Sequence, residues 1–214
     1  CSFYSSLIAG EVHKTDAKTA EMCKLTENCF RDINIAFANE VSMLCDRYGI
    51  EARKLISLTN LHPRVEILSP GAGVGGHCIA VDPWFLVNNN EDLARLIRTA
   101  REVNSAKTQW VSDQISKTYL ELKQNQPLPI ILLGISYKPN IDDLRESPGL
   151  VIANDLKDKG FNVIISDPYV ESVSGFDTIS FPSALDQEAL FVVLQAHDIF
   201  RENSIKNLLK SRNI

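Results

Sequence analysis

The sequence predicts an α + α/β protein, in which a mainly helical unit precedes a smaller α/β unit with a parallel sheet. The first observation is a stretch without glycine or proline, residues 17–48, whose apolar residues recur at helical spacing and predict a helix of roughly 50 Å. The second is an alternation of short apolar runs and helical patterns beyond residue 127, which is typical of parallel strands joined by right-handed crossovers. We therefore expect two domains, residues 1–124 and 125–214.

The helical unit is bounded by residues that favour helix ends. Asp16 can cap the long helix and Gly49 can end it, because aspartate accepts hydrogen bonds from free amides and glycine adopts a left-handed conformation. A helix of this length exceeds the usual globular range, so we expect it to span between domains or to form an oligomer interface. The other predicted elements of this unit are helices over 51–58, 82–87 and 91 to about 123, a strand over 65–68 and a turn over 88–90.

The α/β unit follows a proline-containing linker. Its predicted strands are residues 130–133, 161–165, 178–181 and 189–194, with helices over 147–159 and from residue 200 to the C-terminus. No glycine fingerprint follows the first strand. A polar loop, residues 135–146, takes its place beyond the carboxyl end of that strand, where α/β sheets bind ligands. Its Lys138 and Arg145 offer positive charge for phosphates, and a solvated polar loop is the alternative.

Composition and charge exclude several function classes. The net charge of −5 argues against a nucleic-acid binder, and no apolar run approaches the length of a membrane span. The N-terminal residues lack the basic region of a signal peptide. Five cysteines, an odd number without a C-x-x-C pair, fit a reducing cytoplasm and argue against a disulfide framework or a metal site. We interpret Cys23, Cys29 and Cys45 as small core residues, and Cys78 as a thiol in an exposed setting.

A glycine-rich stretch over residues 69–83 is the most informative feature of the chain. Four glycines in six positions precede Cys78 and Asp82, and glycine serves where a backbone needs positive φ or close approach. Their G-x-G-x-x-G spacing suggests a dinucleotide-binding loop, but the last glycine should then open a helix, and an apolar β-branched run and Pro83 follow instead. We favour a loop that presents a nucleophilic cysteine, with a surface turn around a structural cysteine as the alternative.

Polar residues on the long helix could serve this thiol. Lys24, Asn28 and Arg31 are spaced i, i+4, i+7 and share one face of the helix. An oxygen that develops charge near the thiol needs a hydrogen-bond donor and a base, and a desolvated lysine beside an amide supplies both. A solvated helix face is the alternative interpretation. Likewise, His62 and Arg64 form either a ligand clamp or a surface turn.

The cysteine permits two kinds of covalent chemistry. The neighbouring pair His77 and Cys78 suggests a cysteine hydrolase, but adjacent residues of an extended chain point to opposite faces, so His77 is poorly placed as the base. A covalent mechanism on an aldehyde fits better, in which the thiolate adds to the carbonyl, hydride leaves to a nicotinamide, and a thioester is hydrolysed. A binding or assembly module without chemistry of its own is the remaining class.

Three motifs, in order along the chain, resemble the UDP-glucose/GDP-mannose dehydrogenase family. Residues 19–31 with Asn39-Glu40 are similar to its central helix, and residues 75–83 are similar to its catalytic loop. Residues 134–139 with 143–148 are similar to the opening of its Rossmann-like UDP-binding domain. The resemblance covers nearly the whole chain, which makes it highly specific.

Within the family, two motifs are similar to the branch that acts on UDP-N-acetyl-D-mannosamine. They are the residues around Cys78 and the segment His62-Pro-Arg64. UDP-glucose dehydrogenases typically carry a Cys-Phe-Pro-Lys-Asp motif, with a lysine where Val81 stands here. UDP-N-acetylglucosamine dehydrogenases are the nearest competing branch.

The resemblance implies two successive NAD-dependent oxidations of the sugar's C6 alcohol, through an aldehyde to a carboxylate, for cell-surface polysaccharide synthesis. Cys78 would be the nucleophile that forms the thiohemiacetal and thioester, and Lys24 the general acid and base. Asn28 would hold the oxyanion or a catalytic water, and Asp82 would assist hydrolysis. The implied substrate contacts are Arg31, His62, Arg64, Ser69, Gly71, Gly73, Gly75, Tyr137 and Lys138, and the implied NAD contact is Arg145.

The resemblance also implies a cytoplasmic homodimer formed through the long central helix, with the His62/Arg64 pair acting across the interface. A UDP-N-acetylhexosamine is the expected substrate, and no nucleic acid, membrane or metal is expected. Family members begin with an NAD-binding domain, which does not precede Cys1, and a substrate-contacting arginine would lie after Ile214. We therefore expect the central and C-terminal domains of a longer enzyme, inactive with NAD⁺ on their own.

Overall fold

A computed structural model describes residues 2–88, 90–122 and 127–212, with the backbone alone for Ser2 and residues 210–212. Its helices are α1 (Ser2–Ser5), α2 (Ala17–Arg47), α3 (Ala52–Thr59), α4 (Asp82–Val87), α5 (Arg95–Glu121), α6 (Pro148–Asp158), α7 (Phe181–Ala184) and α8 (Asn203–Arg212). Its strands are β1 (Ile130–Leu133), β2 (Val163–Ser166), β3 (Asp177–Thr178) and β4 (Leu190–Val193), and a 3-10 helix spans Asp198–Arg201. The predicted order of a long-helix unit before an α/β unit is confirmed. Cys1 and the predicted boundary at residues 124–125 lie outside the described residues.

Helix α2 is the long element of the helical unit. Asp16 accepts a hydrogen bond from the Thr19 backbone amide at 3.0 Å, and Gly49 follows the helix with a φ of +64°. Both predicted end signals are therefore confirmed. The helix has 31 residues, which corresponds to about 46 Å. It packs against α4 and α5, so these three helices form the body of the unit.

The predicted strand over residues 65–68 is wrong. The Asn60 side chain accepts from the Ile67 amide at 2.8 Å and donates to the Ile67 carbonyl at 2.9 Å. A side-chain amide therefore takes the two hydrogen bonds that a neighbouring strand would have made, and the segment is irregular.

Helix α5 begins at Arg95 rather than at the predicted residue 91. The Asn90 carbonyl accepts from the amides of Leu93 at 3.1 Å and Ala94 at 2.8 Å, which makes a separate turn before the helix. The centre of the predicted 88–90 turn and the predicted helix end near residue 123 lie outside the described residues.

The described strands form one sheet, which is parallel as the sequence predicts. Its strand order is β3-β2-β1-β4. Alternate residues of a strand face opposite sides of a sheet. Ile130 and Leu132 of the central strand β1 accordingly join the apolar core that includes α6. Ile131 and Leu133 join the core on the other face, with α7 and the 3-10 helix. The carboxyl end of β1 then leads into the polar loop that precedes α6, here called the β1–α6 loop (residues 134–147).

The last predicted strand before β4 is shorter than expected. Strand β3 is Asp177–Thr178, and Phe181 opens α7 instead of ending the strand. Its ring packs edge-on against Phe200 with a centroid distance of 4.7 Å, and Pro182 favours the first turn of a helix. The last helix begins at Asn203, after the 3-10 helix, and its predicted final residues 213–214 lie outside the described part of the chain.

The cysteines follow the prediction with one exception. Cys29 and Cys45 are buried and Cys78 is half-buried, but Cys23 is exposed, so its assignment to the core is wrong. The first turns of α2 are largely exposed to solvent, and Cys23 lies in them. These four thiols are free. None of the described helices is long and apolar enough to cross a membrane, and the same residues contain no cluster of three metal-ligating side chains.

A lysine is buried between α2 and α5. Lys107 is 5% exposed, and its ammonium donates to Ser42 Oγ at 2.9 Å and lies 3.8 Å from the centre of the Trp110 ring. Burial lowers the pKa of Lys107 from 10.5 to about 8, and the charge of Asp46 opposes this only in part. Protonation of Lys107 is therefore less favourable in the folded protein than in the unfolded chain.

Lys107→Met is expected to stabilise the protein near neutral pH, by up to about 3 kcal/mol, because one pKa unit corresponds to about 1.4 kcal/mol. Between pH values of about 8 and 10.5 the unfolded state binds more protons than the folded state. Wild-type stability therefore rises with pH in that window, and the advantage of the variant shrinks. Urea unfolding at about pH 7 and about pH 9.5 measures both effects.

The matched control for this experiment is Lys117→Met, which changes a lysine on the exposed face of the same helix, with a side-chain exposure of 68%. It should leave the free energy of unfolding within about 0.5 kcal/mol of the wild type. A Lys107→Met protein that is no more stable than the wild type near neutral pH would contradict the desolvation argument.

Candidate active site

Cys78 lies in a turn that leads directly into α4. Its carbonyl accepts from the amides of Val81 at 3.1 Å and Asp82 at 2.7 Å. Asp82 is the first residue of α4, so the turn places its carboxylate on the segment that carries the thiol. The predicted short helix from residue 82 is confirmed, and Pro83 fits its first turn.

A chain of polar side chains joins α2 to this turn. Asn28 is 3% exposed, and its Nδ2 donates to Asp82 Oδ2 at 2.5 Å. Lys24 Nζ lies one helical turn away and donates to Asn28 Oδ1 at 3.4 Å, while also pairing with Glu27 at 3.5 Å. The structure therefore brings Lys24, Asn28 and Asp82 into one hydrogen-bonded line, with Cys78 attached through the backbone turn. An ammonium, an amide and a carboxylate in this order can donate to a developing oxyanion and accept a proton.

The glycines before Cys78 allow other groups to approach their backbone closely. The groups that approach are other residues of this protein. A Cβ on Gly75 would lie 2.5 Å from the Glu146 carbonyl oxygen and 2.9 Å from Pro148 Cδ. A Cβ on Gly73, whose φ is +139°, would clash with the Thr108 hydroxyl on α5. These glycines therefore let the cysteine loop fit between α5 and the β1–α6 loop.

A buried polar network supports the other end of the same loop. The Gly71 amide donates to Asn39 Oδ1 at 2.9 Å, and Asn39 Nδ2 donates to Asn104 Oδ1 at 2.9 Å. Asn104 donates to Asp32 Oδ1 at 2.8 Å, and Arg101 donates to the same oxygen at 2.6 Å. The glycine loop is thus connected by hydrogen bonds to side chains of both α2 and α5.

This network was not predicted from the sequence. Asn39 alone was named, as part of a family motif. Asp32, Arg101 and Asn104 are all nearly inaccessible to solvent. Burial raises the pKa of Asp32, and the charge and hydrogen bond of Arg101 oppose that rise. Asp32 Oδ2 and Arg101 Nε have no hydrogen-bond partner in the described structure. A signal was available, since a charged residue on an otherwise apolar helix stripe indicates a buried partner.

The β1–α6 loop reaches the cysteine loop from the α/β unit. The Gly76 amide donates to the Arg145 carbonyl at 3.0 Å. The Arg145 guanidinium pairs with the Asp143 carboxylate at 2.6 Å, and this pairing lowers the pKa of Asp143 to about 2. The same pairing raises the pKa of Arg145. The backbone hydrogen bond from Gly76 places Arg145 beside the cysteine loop.

Other predicted site residues are not joined to this centre. Arg31, His62, Arg64 and Lys138 are exposed, and so is Ser69. His62 Nδ1 accepts from the Arg64 amide at 3.3 Å, which shows a local turn. Within the described ranges, no hydrogen bond connects any of these five side chains to the residues around the thiol. Their assignment to substrate stays a prediction.

A second missed group lies beyond the carboxyl ends of β1, β2 and β4. Asp167 Oδ2 accepts from the Ile135 amide at 2.7 Å and from His197 Nε2 at 3.1 Å. The Asn140 amide donates to His197 Nδ1 at 2.8 Å, so the ring proton of this buried histidine lies on Nε2. Burial opposes the ionisation of Asp167, but hydrogen bonds from His197, Tyr169 and Ile135 outweigh it and lower its pKa. The group fixes the start of the β1–α6 loop.

This histidine does not form a hydrolase triad. Ser136 Oγ lies 3.5 Å from the same Nε2 that faces Asp167, and it donates to the Lys138 carbonyl at 2.9 Å. In a catalytic triad, one ring nitrogen of the histidine faces the serine hydroxyl and the other faces the carboxylate. In the part of the chain that the structure describes, no histidine is hydrogen-bonded to Cys78 either. The geometry therefore gives no support to the hydrolase alternative.

The fold and the site together define a class of protein in which a helical unit with a cysteine loop is joined to a nucleotide-type α/β unit. Two family models match the chain. The model of the UDP-glucose/GDP-mannose dehydrogenase family, central domain, matches residues 18–106. The model of the UDP binding domain of the same family matches residues 131–214. The chain belongs to the UDP-glucose/GDP-mannose dehydrogenase family.

The chain is similar to nucleotide-sugar dehydrogenases from several organisms. The chain is 48% identical over 205 residues to an NDP-N-acetyl-D-galactosaminuronic acid dehydrogenase of Ralstonia solanacearum, covering 93% of this chain and 48% of the relative. It is 57% identical over 155 residues to the UDP-N-acetyl-D-mannosamine dehydrogenase of Escherichia coli K12, covering 70% of this chain and 37% of the relative. The solved UDP-D-ManNAc dehydrogenase of Pyrococcus horikoshii superposes with a TM-score of 0.85 at 34% identity, over 98% of this chain and 50% of that chain. The chain spans about half the length, or less, of these relatives.

Proposed function

We propose that this chain forms the central and UDP-binding domains of an NAD-dependent UDP-sugar 6-dehydrogenase. The substrate that we favour is UDP-N-acetyl-D-mannosamine, whose C6 alcohol is oxidised in two steps to the carboxylate of UDP-N-acetyl-D-mannosaminuronate. The observation that carries the proposal is the 2.5 Å hydrogen bond from Asn28 to Asp82, which joins the Lys24 face of α2 to the turn that holds Cys78. The names of the relatives support the substrate class.

In the proposed first step, Lys24 acts as the neutral amine: it takes the proton of the C6 hydroxyl and becomes the ammonium as the alcohol becomes an aldehyde. NAD⁺, when bound, accepts the hydride in each oxidation. Of the described residues, Arg145 fits a cofactor phosphate, because its side chain is 62% exposed and its Nη1 is not used in the pairing with Asp143. Asn28 Oδ1 holds Lys24 Nζ in place for this transfer, at 3.4 Å. The Lys24 side chain is 63% exposed in the described chain, so the expectation of a desolvated lysine is wrong.

In the proposed second step, the Cys78 thiolate forms a bond to the aldehyde carbon, and the carbonyl oxygen becomes an alkoxide. Lys24 and Asn28 donate hydrogen bonds to that oxygen. Loss of hydride from the same carbon leaves a thioester on Cys78. Asp82, one hydrogen bond from Asn28, takes a proton from the attacking water, and the thiol leaves as the carboxylate forms.

A homodimer through α2 belongs to the same proposal. Three aromatic or aliphatic side chains on α2, seven residues apart, are exposed: Phe30 by 67%, Phe37 by 54% and Leu44 by 44%. Residues seven apart share a helix face, and an exposed apolar stripe indicates a protein interface. His62 and Arg64 are exposed and free to reach a partner's substrate. We place the enzyme in the cytoplasm, in keeping with its free thiols.

Two alternative functions are compatible with the same site. The first is another UDP-sugar, such as UDP-N-acetylglucosamine or UDP-glucose. The relative from Ralstonia solanacearum is named for an N-acetylgalactosaminuronic acid, and the matching family is named for UDP-glucose and GDP-mannose. The second is a dimerising, UDP-binding module without chemistry in this chain alone. We also propose that the domain division falls at residues 124–125, between the two family-model matches.

The test is turnover by the full-length protein with UDP-N-acetylmannosamine, UDP-N-acetylglucosamine and UDP-glucose, measured side by side as NADH formation. We expect kcat/KM for the first to exceed the others by at least about tenfold, the discrimination that one well-fitted contact supplies. The 214-residue chain alone, as a control, should form no NADH. Equal rates would contradict the sugar assignment, and the absence of NADH with every sugar would contradict the dehydrogenase proposal.

A further inference from the structure

Tyr137 touches the backbone of the cysteine loop more closely than any side chain on the loop would allow. A Cβ on Gly76 would lie 2.7, 3.0 and 3.1 Å from three carbons of the Tyr137 ring. A Cβ on Gly75 would lie 2.6 Å from Tyr137 Cβ. Gly76 has a φ of +82°, so glycine is required there for its backbone conformation as well as for space. The ring therefore rests on a two-glycine segment that ends two residues before Cys78.

Tyr137 is itself held in place from the sheet side. Its amide donates to the Asp143 carbonyl at 3.2 Å. The preceding Ser136 donates through Oγ to the Lys138 carbonyl at 2.9 Å, and the amide of Ser136 points to Asp167 at 3.4 Å. These bonds tie Tyr137 and both of its neighbours into the loop, so the backbone that carries the ring is held in place.

Cys78 thus lies between two anchors of different kinds. On its C-terminal side, Asp82 is hydrogen-bonded to Asn28, and both belong to the proposed chemistry. On its N-terminal side, the anchor is the Tyr137 ring on Gly75 and Gly76, which comes from the α/β unit. Removing the ring would leave backbone hydrogen bonds, such as that from the Gly76 amide to the Arg145 carbonyl at 3.0 Å, as the remaining support on this side.

We propose that Tyr137 is a positioning residue for Cys78, whose ring fixes the thiol beside the Asn28–Asp82 pair before any substrate binds. This rests on the proposed function, because it takes Cys78 to be the nucleophile. It goes beyond that function, because the family resemblance implies for Tyr137 only a contact with the UDP-sugar. The α/β unit then contributes to the chemistry by holding the cysteine loop, in addition to any role in binding UDP.

The test compares alkylation of Cys78 and Cys23 by iodoacetamide in substrate-free full-length protein, with each site followed by peptide mass spectrometry. Tyr137→Ala is expected to raise the Cys78 rate relative to Cys23 by about tenfold, because a loop that has lost a packing contact opens more often. Tyr137→Phe keeps the ring and should stay within about twofold of the wild type. Tyr48→Ala, which removes an exposed tyrosine just beyond α2, is the matched control and should change nothing.

Steady-state kinetics separates positioning from binding. Tyr137→Ala should lower kcat of the full-length enzyme by about tenfold, and Tyr137→Phe should restore it, whereas loss of a simple substrate contact would raise KM alone. Gly76→Ala places a methyl group against the Tyr137 ring and should have the same effects on Cys78 alkylation and kcat. It tests the contact if Tyr137→Ala does not fold. Unchanged Cys78 alkylation and unchanged kcat in these variants would overturn the positioning role.

The two proposals fail in different ways. If wild-type Cys78 is dispensable for acid formation, the proposed function itself is wrong. If Cys78 is required and Tyr137→Ala changes only KM, the proposed function stands and Tyr137 is a binding residue alone.

Discussion

Replacing Cys78 with serine is expected to stop the full-length enzyme at the aldehyde. The first oxidation needs no nucleophile, whereas the second begins with addition of a thiolate to the aldehyde carbon. A serine hydroxyl is a poor nucleophile without a dedicated base, and no histidine is hydrogen-bonded to this position within the described residues. Acid formation should therefore fall by at least about a thousandfold, in line with the loss of a nucleophile that acts together with its neighbours.

The measurement is the yield of NADH per UDP-sugar consumed, together with mass spectrometry of the product. Wild-type enzyme should give two NADH and the carboxylate, and Cys78→Ser should give at most one NADH and an aldehyde or its hydrate. Cys23→Ser is the matched control, because Cys23 is an exposed thiol on α2 outside the proposed chemistry. Two NADH from the Cys78→Ser enzyme would show that the thiol is not the nucleophile.

Arg101→Met is expected to lower the free energy of unfolding by about 3–5 kcal/mol, the usual consequence of leaving a buried charge without its partner. Arg101 and Asp32 have side-chain exposures of 7% and 1%, and their atoms are 2.6 Å apart. Burial already raises the pKa of Asp32, and loss of the guanidinium removes the opposing charge. The native state then binds a proton that the unfolded state releases above a pKa of 3.8, so the loss should diminish as the pH falls toward that value.

Urea unfolding of three variants tests this prediction. Arg98→Met breaks the exposed pair with Glu91 at 3.0 Å on the same helix and should cost less than about 1 kcal/mol. Asp32→Asn combined with Arg101→Met should recover at least half of the loss, because no buried charge then remains. An Arg101→Met protein within about 1 kcal/mol of the wild type would contradict the assignment of a buried ion pair.

Loss of the ion pair between Arg101 and Asp32 should also affect the active site. Asp32 connects through Asn104 and Asn39 to the Gly71 amide, so the ion pair supports the N-terminal end of the cysteine loop. Tyr137 supports the same loop nearer to Cys78. The thiol is therefore positioned by side chains from α2, α5 and the β1–α6 loop, and the chemistry proposed for it depends on all three.

The elements that were predictable are those fixed by residues close together in sequence. Asp16 and Gly49 bound α2 through local hydrogen bonding and backbone conformation. The fully apolar run of β1 is typical of a buried parallel strand, and it lies at the centre of the sheet. The short apolar run that ends at Phe181 was ambiguous, because periodicity alone does not separate a short strand from a helix start.

The candidate site was predictable in part. The pairing of Lys24 with Asn28 follows from their spacing on a helix, but the contact of Asn28 with Asp82 spans 54 positions and depends on the packing of α4 against α2. Four clustered glycines indicate close approach, but they do not say what approaches. Here it is the hydroxyl of Thr108 and the ring of Tyr137, which only the tertiary structure reveals.

The most direct test of the role of Cys78 is its protection by an aldehyde substrate. The protein is incubated with the 6-aldehyde of UDP-N-acetylmannosamine without NAD⁺ and then alkylated with iodoacetamide, and modification of each cysteine is read by peptide mass spectrometry. A thiohemiacetal on Cys78 should slow alkylation there by about tenfold or more and leave Cys23 unaffected. UDP-N-acetylmannosamine, which carries an alcohol at C6 in place of the aldehyde, is the control for simple occupancy. Equal protection by the alcohol and the aldehyde, or protection of neither thiol, would contradict a covalent role for Cys78.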